Sequence, residues 1–296
     1  MGSLFGGMLA LSGCDVVLYD IFREHVEKVA SEGLAIEDAA TGAVTVARPR
    51  ASADPAAVDG ADALVVFVKS TATEAAAAQF APRARKDAIV LTLQNGLGNE
   101  AILSRHFGSG RTAAGVTSQG ATFLGPGRVR HAGKGPTHIC MSDGRNEKLD
   151  PLRRALEGAG FETHVSTDVA SLVWSKLVIN VGINALTAIT SQPNGKLLES
   201  EDLKGIMADL VAEAVAVAGA RGIPLANADP LAVVHDVARK TGANRSSMLQ
   251  DFDRKRPSEI EVMNGAIVRE AEKAGIAVPV NTTITRLVRA LEKARG

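Results

Sequence analysis

Two dense apolar runs set the fold class of this chain. Residues 61–68 (ADALVVFV) and 88–93 (AIVLTL) are too short for core helices and lack the apolar–polar alternation of a strand with one wet face. Each therefore reads as a strand covered on both sides. A third strand is expected at 15–19 (DVVLY), with helical patterns at 23–31 and in the Ala-rich stretch 73–80. Strands alternating with helices imply βαβ units and a mostly parallel, Rossmann-like sheet. Between 112 and 141, short strands separated by GPGRV and AGKGP suggest antiparallel hairpins.

After about residue 165 the pattern turns helical and stays so. Asp168 can cap a long apolar helix running to about 190, and Ser200 opens a second that ends near Gly222, with Pro224 beyond. Asp229-Pro230 supplies a cap and first-turn pair. Ser258 and Glu261 have capping-box spacing for a helix ending near Gly275, and Asn281 is expected to cap the last. The expectation is an α/β domain over 1–165 and an all-α domain over 166–296, with a cleft between them.

Composition narrows the function. Lys plus Arg and Asp plus Glu are both 33, so no net field attracts nucleic acid or an anionic membrane. One Trp, one Tyr and eight Phe offer few platforms for stacking single-stranded bases. Cys14 and Cys140 are far apart, consistent with unpaired residues in a reducing compartment. No Cys/His cluster has zinc-ligand spacing, and no metal is expected. No membrane helix and no signal peptide is read, so the expected location is cytoplasmic.

Five places carry chemistry. Gly2 opens an N-terminal helix that leads, through Gly13, to a strand ending at Asp20. A dinucleotide fold uses a glycine at the helix start and an acid at the end of the next strand, though an ordinary α/β unit offers the same pattern. Lys69 follows one buried strand, and Gln94-Asn95-Gly96-Leu97-Gly98 follows another. Ligands bind at such strand ends, but Asn-Gly is also a common turn. Lys176, Asn180 and Asn184 are spaced i, i+4, i+8 among apolar residues. On a helix they form one stripe, and polar groups on a buried helix are costly unless partnered. A ligand-facing ammonium and two orienting amides explain the stripe, as does a network to a neighbouring domain. On local chemistry alone, Glu259 reads as a first-turn acid and Ser247 as a helix cap.

Taken together, these residues resemble the ketopantoate reductase (2-dehydropantoate 2-reductase) family. The matching strings are K-L-x-x-N-x-x-I-N-x-L-T-A-I at 176–189, P-N-G-x-L at 193–197, S-S-M-L-Q-D at 246–251 and S-E-I-E-x-x-N-G at 258–265. Q-N-G-L-G at 94–98 and I-x-V-P-x-N-T at 276–282 also match. The resemblance implies an NAD(P)H-dependent oxidoreductase that reduces the C2 ketone of ketopantoate to pantoate, a step towards pantothenate. It implies Lys176 as proton donor, Glu259 as its supporting carboxylate, Asn180 and Asn184 as orienting amides, and Ser247 with Asn244 as holders of the substrate carboxylate. It implies Asn95 beside the nicotinamide and Lys69 at the cofactor.

Two departures qualify it. The family opens with a strand and a G-x-G-x-x-G turn. Here Gly2 would be the last of those glycines, which suggests a misplaced start or a truncation that leaves a gap in the sheet and weakens cofactor binding. Second, Asp20 followed by Ile21 stands where an Arg would meet the 2′-phosphate of NADPH, which favours NADH. That Asp also resembles the NAD-dependent D-mandelate-type branch acting on other 2-keto acids. A third possibility is a non-catalytic binding protein whose nucleotide site is lost. The apolar helices of the second half could support a homodimer.

Overall fold

The structure, a computed structural model, describes residues 1–295. The chain divides into two compact units: Met1–Gln94 with Asn99–Val169, and Asn95–Gly98 with the chain from Ala170 onward.

The first unit contains α1 (Gly2–Leu11), β1 (Val17–Tyr19), α2 (Arg23–Glu32), β2 (Leu34–Asp38), β3 (Val44–Ala47), β4 (Arg50–Ser52), β5 (Ala63–Val66), α3 (Thr73–Phe80), β6 (Ile89–Thr92) and α4 (Asn99–Phe107). β7 (Thr112–Thr117), β8 (Gly120–Gly125), β9 (Arg128–Gly133), β10 (Thr137–Met141), α5 (Asp150–Gly158) and β11 (Thr163–Val165) complete it. Three sheets form, in the orders β4-β1, β5-β6-β7-β10-β11 and β3-β2-β9-β8. Within the five-stranded sheet every pair is parallel except β7 with β10. The expected hairpins resolve into the antiparallel pairs β8–β9 and β7–β10, in different sheets. The hairpin β2–β3 and its sheet are not anticipated by the sequence reading, because the apolar residues of 34–47 fall in short pieces broken by Glu37, Asp38, Thr41, Gly42 and Thr45.

One expectation needs correction. The strand read at 61–68 should be covered throughout, yet every residue of β5 is half-buried, as is every residue of β1. By contrast, Val90, Leu91 and Ala113 in β6 and β7 are fully buried. The cause lies in the sheet order: β1 and β5 each end a sheet, so one edge of each has no strand partner among the described residues. α1 lies over both. Its Gly6 meets Leu18 of β1, while Phe5 packs its ring 4.9 Å from Phe67, just beyond β5, and stacks on Phe161 at 4.1 Å.

A glycine at the Gly2 position of a dinucleotide fold is expected where a side chain would block helix–sheet packing, but in α1 that demand falls elsewhere. A Cβ on Gly2 would make only ordinary contact with Phe67, at 3.6 Å. The close approaches are at Gly6, against Leu18, and Gly7, where a Cβ would stand 2.7 Å from Ile36 and 2.8 Å from Leu34. Gly2 is therefore not needed for helix–sheet packing.

The second unit packs α6 (Val169–Thr190), α7 (Glu201–Ala220), α8 (Pro230–Lys240), α9 (Ser247–Asp253), α10 (Asn264–Ala274) and α11 (Pro279–Arg295) around one apolar core. α6 is 22 residues long and apolar enough to meet the length and composition of a membrane-crossing helix, which the sequence reading overlooked. Its apolarity has a local use: Leu177, Val178, Val181, Ile183 and Leu186 are all buried in the core. Ser200 and Asp229 cap α7 and α8 as expected. The capping box does not form. The Ser258 N–H is taken by Glu292 of α11, and Glu261 pairs instead with Arg289. Asn281 lies inside the first turn of α11, and the cap is Glu213 of α7, whose carboxylate accepts from the Val280 and Asn281 N–H groups.

In β7, Gly115 lies opposite Ile139 of β10, where an added Cβ would collide with the His138 carbonyl oxygen. Gly115→Ala must part these strands and is expected to cost at least about 1–3 kcal/mol. A melting temperature unchanged from wild type would refute this.

Candidate active site

Burial and charge conflict along α6, and that conflict marks the candidate site. Lys176 is half-buried, and its ammonium is pushed down to about 8, chiefly by loss of solvent. The Glu259 carboxylate opposes that shift and holds part of the charge. Glu259 is itself only 6% exposed. Its carbonyl accepts from the Val262 N–H, and the preceding Ser258 Oγ accepts from the Ile260 N–H, so a short turn fixes it. Asn180 is half-buried one helical turn beyond Lys176.

Asn184, a further turn on, is 7% exposed. Its Nδ2 points to Ser247 Oγ at 3.4 Å and to Met263 Sδ at 3.5 Å. Beneath it, the Thr187 hydroxyl lies 2.9 Å from the Asn184 carbonyl and 2.6 Å from Ser246 Oγ. Ser246, not Ser247, caps α9 by accepting from the Leu249 N–H. That correction leaves the Ser247 side chain available to a ligand rather than committed to the helix end.

The turn after residue 193 has a role that sequence reading missed, although its P-N-G string was noted. The Asn194 N–H donates to the Asn244 carbonyl, Gly195 N–H to that of Gly242, and Asn194 Nδ2 to Thr241 Oγ1 at 2.8 Å. A Cβ on Gly195 would sit 2.8 Å from Gly242 Cα. This clamp sets the loop that presents exposed Asn244 next to Ser246 and Ser247. Asn194 Oδ1 is buried without a partner, an acceptor left over at the edge of the constellation.

Asn95 belongs to this same unit. The Leu97 N–H donates to the Val262 carbonyl at 3.0 Å, three residues from Glu259. Gly96 has φ +81°, and a Cβ there would collide with Val262. The Asn-Gly pair is thus a docking point, held against the Glu259 turn, as well as a turn dipeptide.

Gly2, Asp20 and Lys69 lie together in the other unit. The α-amino group of Met1 is lowered to about 6 by burial and by the charge of Lys69, with Asp20 opposing. All three predicted residues therefore converge on the start of α1. The first intrahelical bond there runs from Phe5 N–H to the Met1 carbonyl, so the preceding amides are not used within the helix. Asp20 is exposed. Its Oδ1 accepts from the Phe22 N–H, leaving Oδ2 for a ligand.

Comparison with known proteins decides the family. The model of ketopantoate reductase PanE/ApbA matches residues 1–144, and that of its C-terminal domain matches 168–292. The chain belongs to the ketopantoate reductase family. It is 39% identical over 294 residues to a 2-dehydropantoate 2-reductase of Halobacterium salinarum, covering 99% of this chain and 96% of that one. A PanE/ApbA family ketopantoate reductase from Ralstonia eutropha superimposes with TM-score 0.90 at 37% identity, over 98% of this chain and 95% of that one. D-mandelate dehydrogenase, solved with NADH and anilino(oxo)acetate, superimposes with TM-score 0.91 at 28% identity, over 100% and 96%. Members of this family are NAD(P)H-dependent oxidoreductases acting on a CH–OH group, and the mixed α/β and helical architecture is theirs.

Because Gly96 combines a left-handed backbone with close contact to Val262, Gly96→Ala is expected to lower stability by about 2 kcal/mol or more. Chemical denaturation measures it, and a variant within 0.5 kcal/mol of wild type, on the order of an ordinary surface change, would contradict the docking role.

Proposed function

We propose that this chain reduces a 2-keto acid at C2, ketopantoate foremost, with NADH as hydride donor, and that Lys176 supplies the proton. The observation that carries the proposal is the Lys176–Glu259 pair. It supports the reading with a poised ammonium on the same helix as Asn184, whose amide meets the Ser247 hydroxyl, in a chain 39% identical to a 2-dehydropantoate 2-reductase.

A bound nicotinamide would supply the hydride that the ketone carbon accepts. The Lys176 ammonium hydrogen-bonds the ketone oxygen, stabilises its developing negative charge and then gives up a proton, so ketone, hydride and proton yield the hydroxy acid. Glu259 keeps Lys176 protonated at neutral pH. Asn180 and Asn184 fix the carbonyl plane, a contribution made mostly through orientation. Ser247, at the start of α9, and Asn244, in the loop before it, would donate to the substrate carboxylate, and Asn95 would hold the carboxamide end of the cofactor.

The residues at the start of α1 fit a dinucleotide. Amides at a helix N-terminus receive pyrophosphate oxygens, Lys69 adds a cation, and Asp20 Oδ2 can accept from a ribose hydroxyl. Asp20 repels a 2′-phosphate, and the following Ile21, 82% exposed, offers no cation in place of an Arg. The same Asp supports a second reading, a D-mandelate-type dehydrogenase for bulkier 2-keto acids, since D-mandelate dehydrogenase is a structural neighbour solved with NADH.

Steady-state assays with both cofactors, ketopantoate and aryl 2-keto acids test these readings. Lys176→Ala is expected to lower kcat at least about 100-fold. Equal turnover by that variant would remove Lys176 from the chemistry. The kcat/KM ratio should favour NADH over NADPH, and a clear NADPH preference would overturn the cofactor choice.

The acid is the protonated form of Lys176. Reduction should therefore be flat below about pH 8 and fall roughly tenfold per unit above it. Glu259→Gln removes the group that raises the Lys176 pKa, so the falling limb should move to lower pH. A limb that stays in place would show that another group sets it.

A further inference from the structure

His25 opens a hydrogen-bond relay aimed at the start of α1. It lies in the first turn of α2 and is only 3% exposed, with Phe123 of β8 packed against its ring edge at 5.5 Å. Its Nδ1 accepts from the backbone N–H of Gly127, in the β8–β9 turn, at 3.0 Å. An amide N–H can only donate, so Nδ1 carries no proton. Burial depresses the imidazole pKa and keeps the ring neutral. The single ring proton must therefore sit on Nε2, which lies 3.0 Å from Ser3 Oγ. The ring donates and Ser3 accepts. The serine's own hydrogen is then turned away from His25, one residue after Gly2 in the first turn of α1.

We infer that Ser3 is a pyrophosphate-binding residue of the cofactor site and that His25 is the positioning residue fixing the direction of its hydroxyl. The inference rests on the nucleotide reading of the α1 end given above and adds to it two residues with defined tasks. Gly127 sets the tautomer, His25 sets the serine rotor, and Ser3 donates to a phosphate oxygen alongside the amides of the helix start. A hydroxyl held in this way donates to an anion without first having to reorient.

Calorimetric titration of the intact chain with NADH, ADP and adenosine tests the relay. Ser3→Ala should weaken NADH and ADP about tenfold or more, the scale of a lost hydrogen bond to a charged group, and leave adenosine, which has no phosphate, unchanged. His25→Asn keeps an acceptor for the Gly127 N–H through Oδ1 but cannot reach Ser3. It should melt near wild type and lose ADP affinity as Ser3→Ala does. The double variant should lose no more than either single one, because both remove the same contact.

Unchanged ADP affinity in Ser3→Ala overturns the inference, as does an equal loss for adenosine, which would indicate general distortion of the helix end. Additive losses in the double variant would remove His25 from the relay. A wild-type chain that binds neither NADH nor ADP would instead sink the nucleotide reading itself, and the relay with it.

Discussion

The second unit is organised around one unfavourable act: withdrawing an ammonium from water on the face of an apolar helix. Left alone, Lys176 would shed its proton or swing out to solvent. Glu259 keeps the charge in place, and much of the surrounding architecture serves Glu259. Ser258 is bonded to α11 through Glu292, Val262 closes the Glu259 turn, and Val262 in turn receives Leu97. Further along α6, the Thr187–Ser246 contact fixes the start of α9, where the Ser247 hydroxyl meets the Asn184 amide.

The first unit meets a different demand with backbone rather than side chains. A dinucleotide carries its negative charge in the middle, and under the proposed reading the start of α1 would meet that charge with amides that no carbonyl of the helix claims. Two glycines let the helix approach its neighbours: Gly6 lies against Leu18 and Gly7 against Leu34 and Ile36. The approach brings Asp20 and Lys69 into electrostatic reach of the helix start.

What could be read from the sequence follows from where information is stored. Period-3.6 and dense apolar runs are local, and they placed α3, β6, α6 and α7 within a residue or two. The stripe Lys176–Asn180–Asn184 was legible because helical geometry alone puts the three on one face. Edges were not legible: β5 read as a strand covered on both faces because hydropathy reports side chains, not hydrogen-bond neighbours. Caps made across the fold were misread for the same reason. Ser258 and Glu261 have local spacing for a box, but Glu292 and Arg289, distant in sequence, compete and win. Glu259, Ser247 and Asn244 could be assigned roles only through family resemblance. Their local chemistry is that of ordinary helix starts, and what distinguishes them is company assembled by tertiary structure. Asn194 belongs with them: its string was visible, but its task of holding 241–244 is a contact across 47 residues.

The four residues Asn95–Gly98 have a consequence for how this chain can be divided. They are supplied by the α/β half of the sequence, between β6 and α4, yet they belong to the helical unit through the Val262 carbonyl. The helical unit is therefore not a continuous stretch of gene. A fragment beginning near residue 170 would leave that carbonyl uncovered beside the Glu259 turn. A chimaera joining halves of two relatives at the obvious boundary would pair one parent's loop with the other parent's turn. The natural unit of exchange is the helical half together with this loop, and substitutions at 96 and 262 are expected to be inherited as a pair.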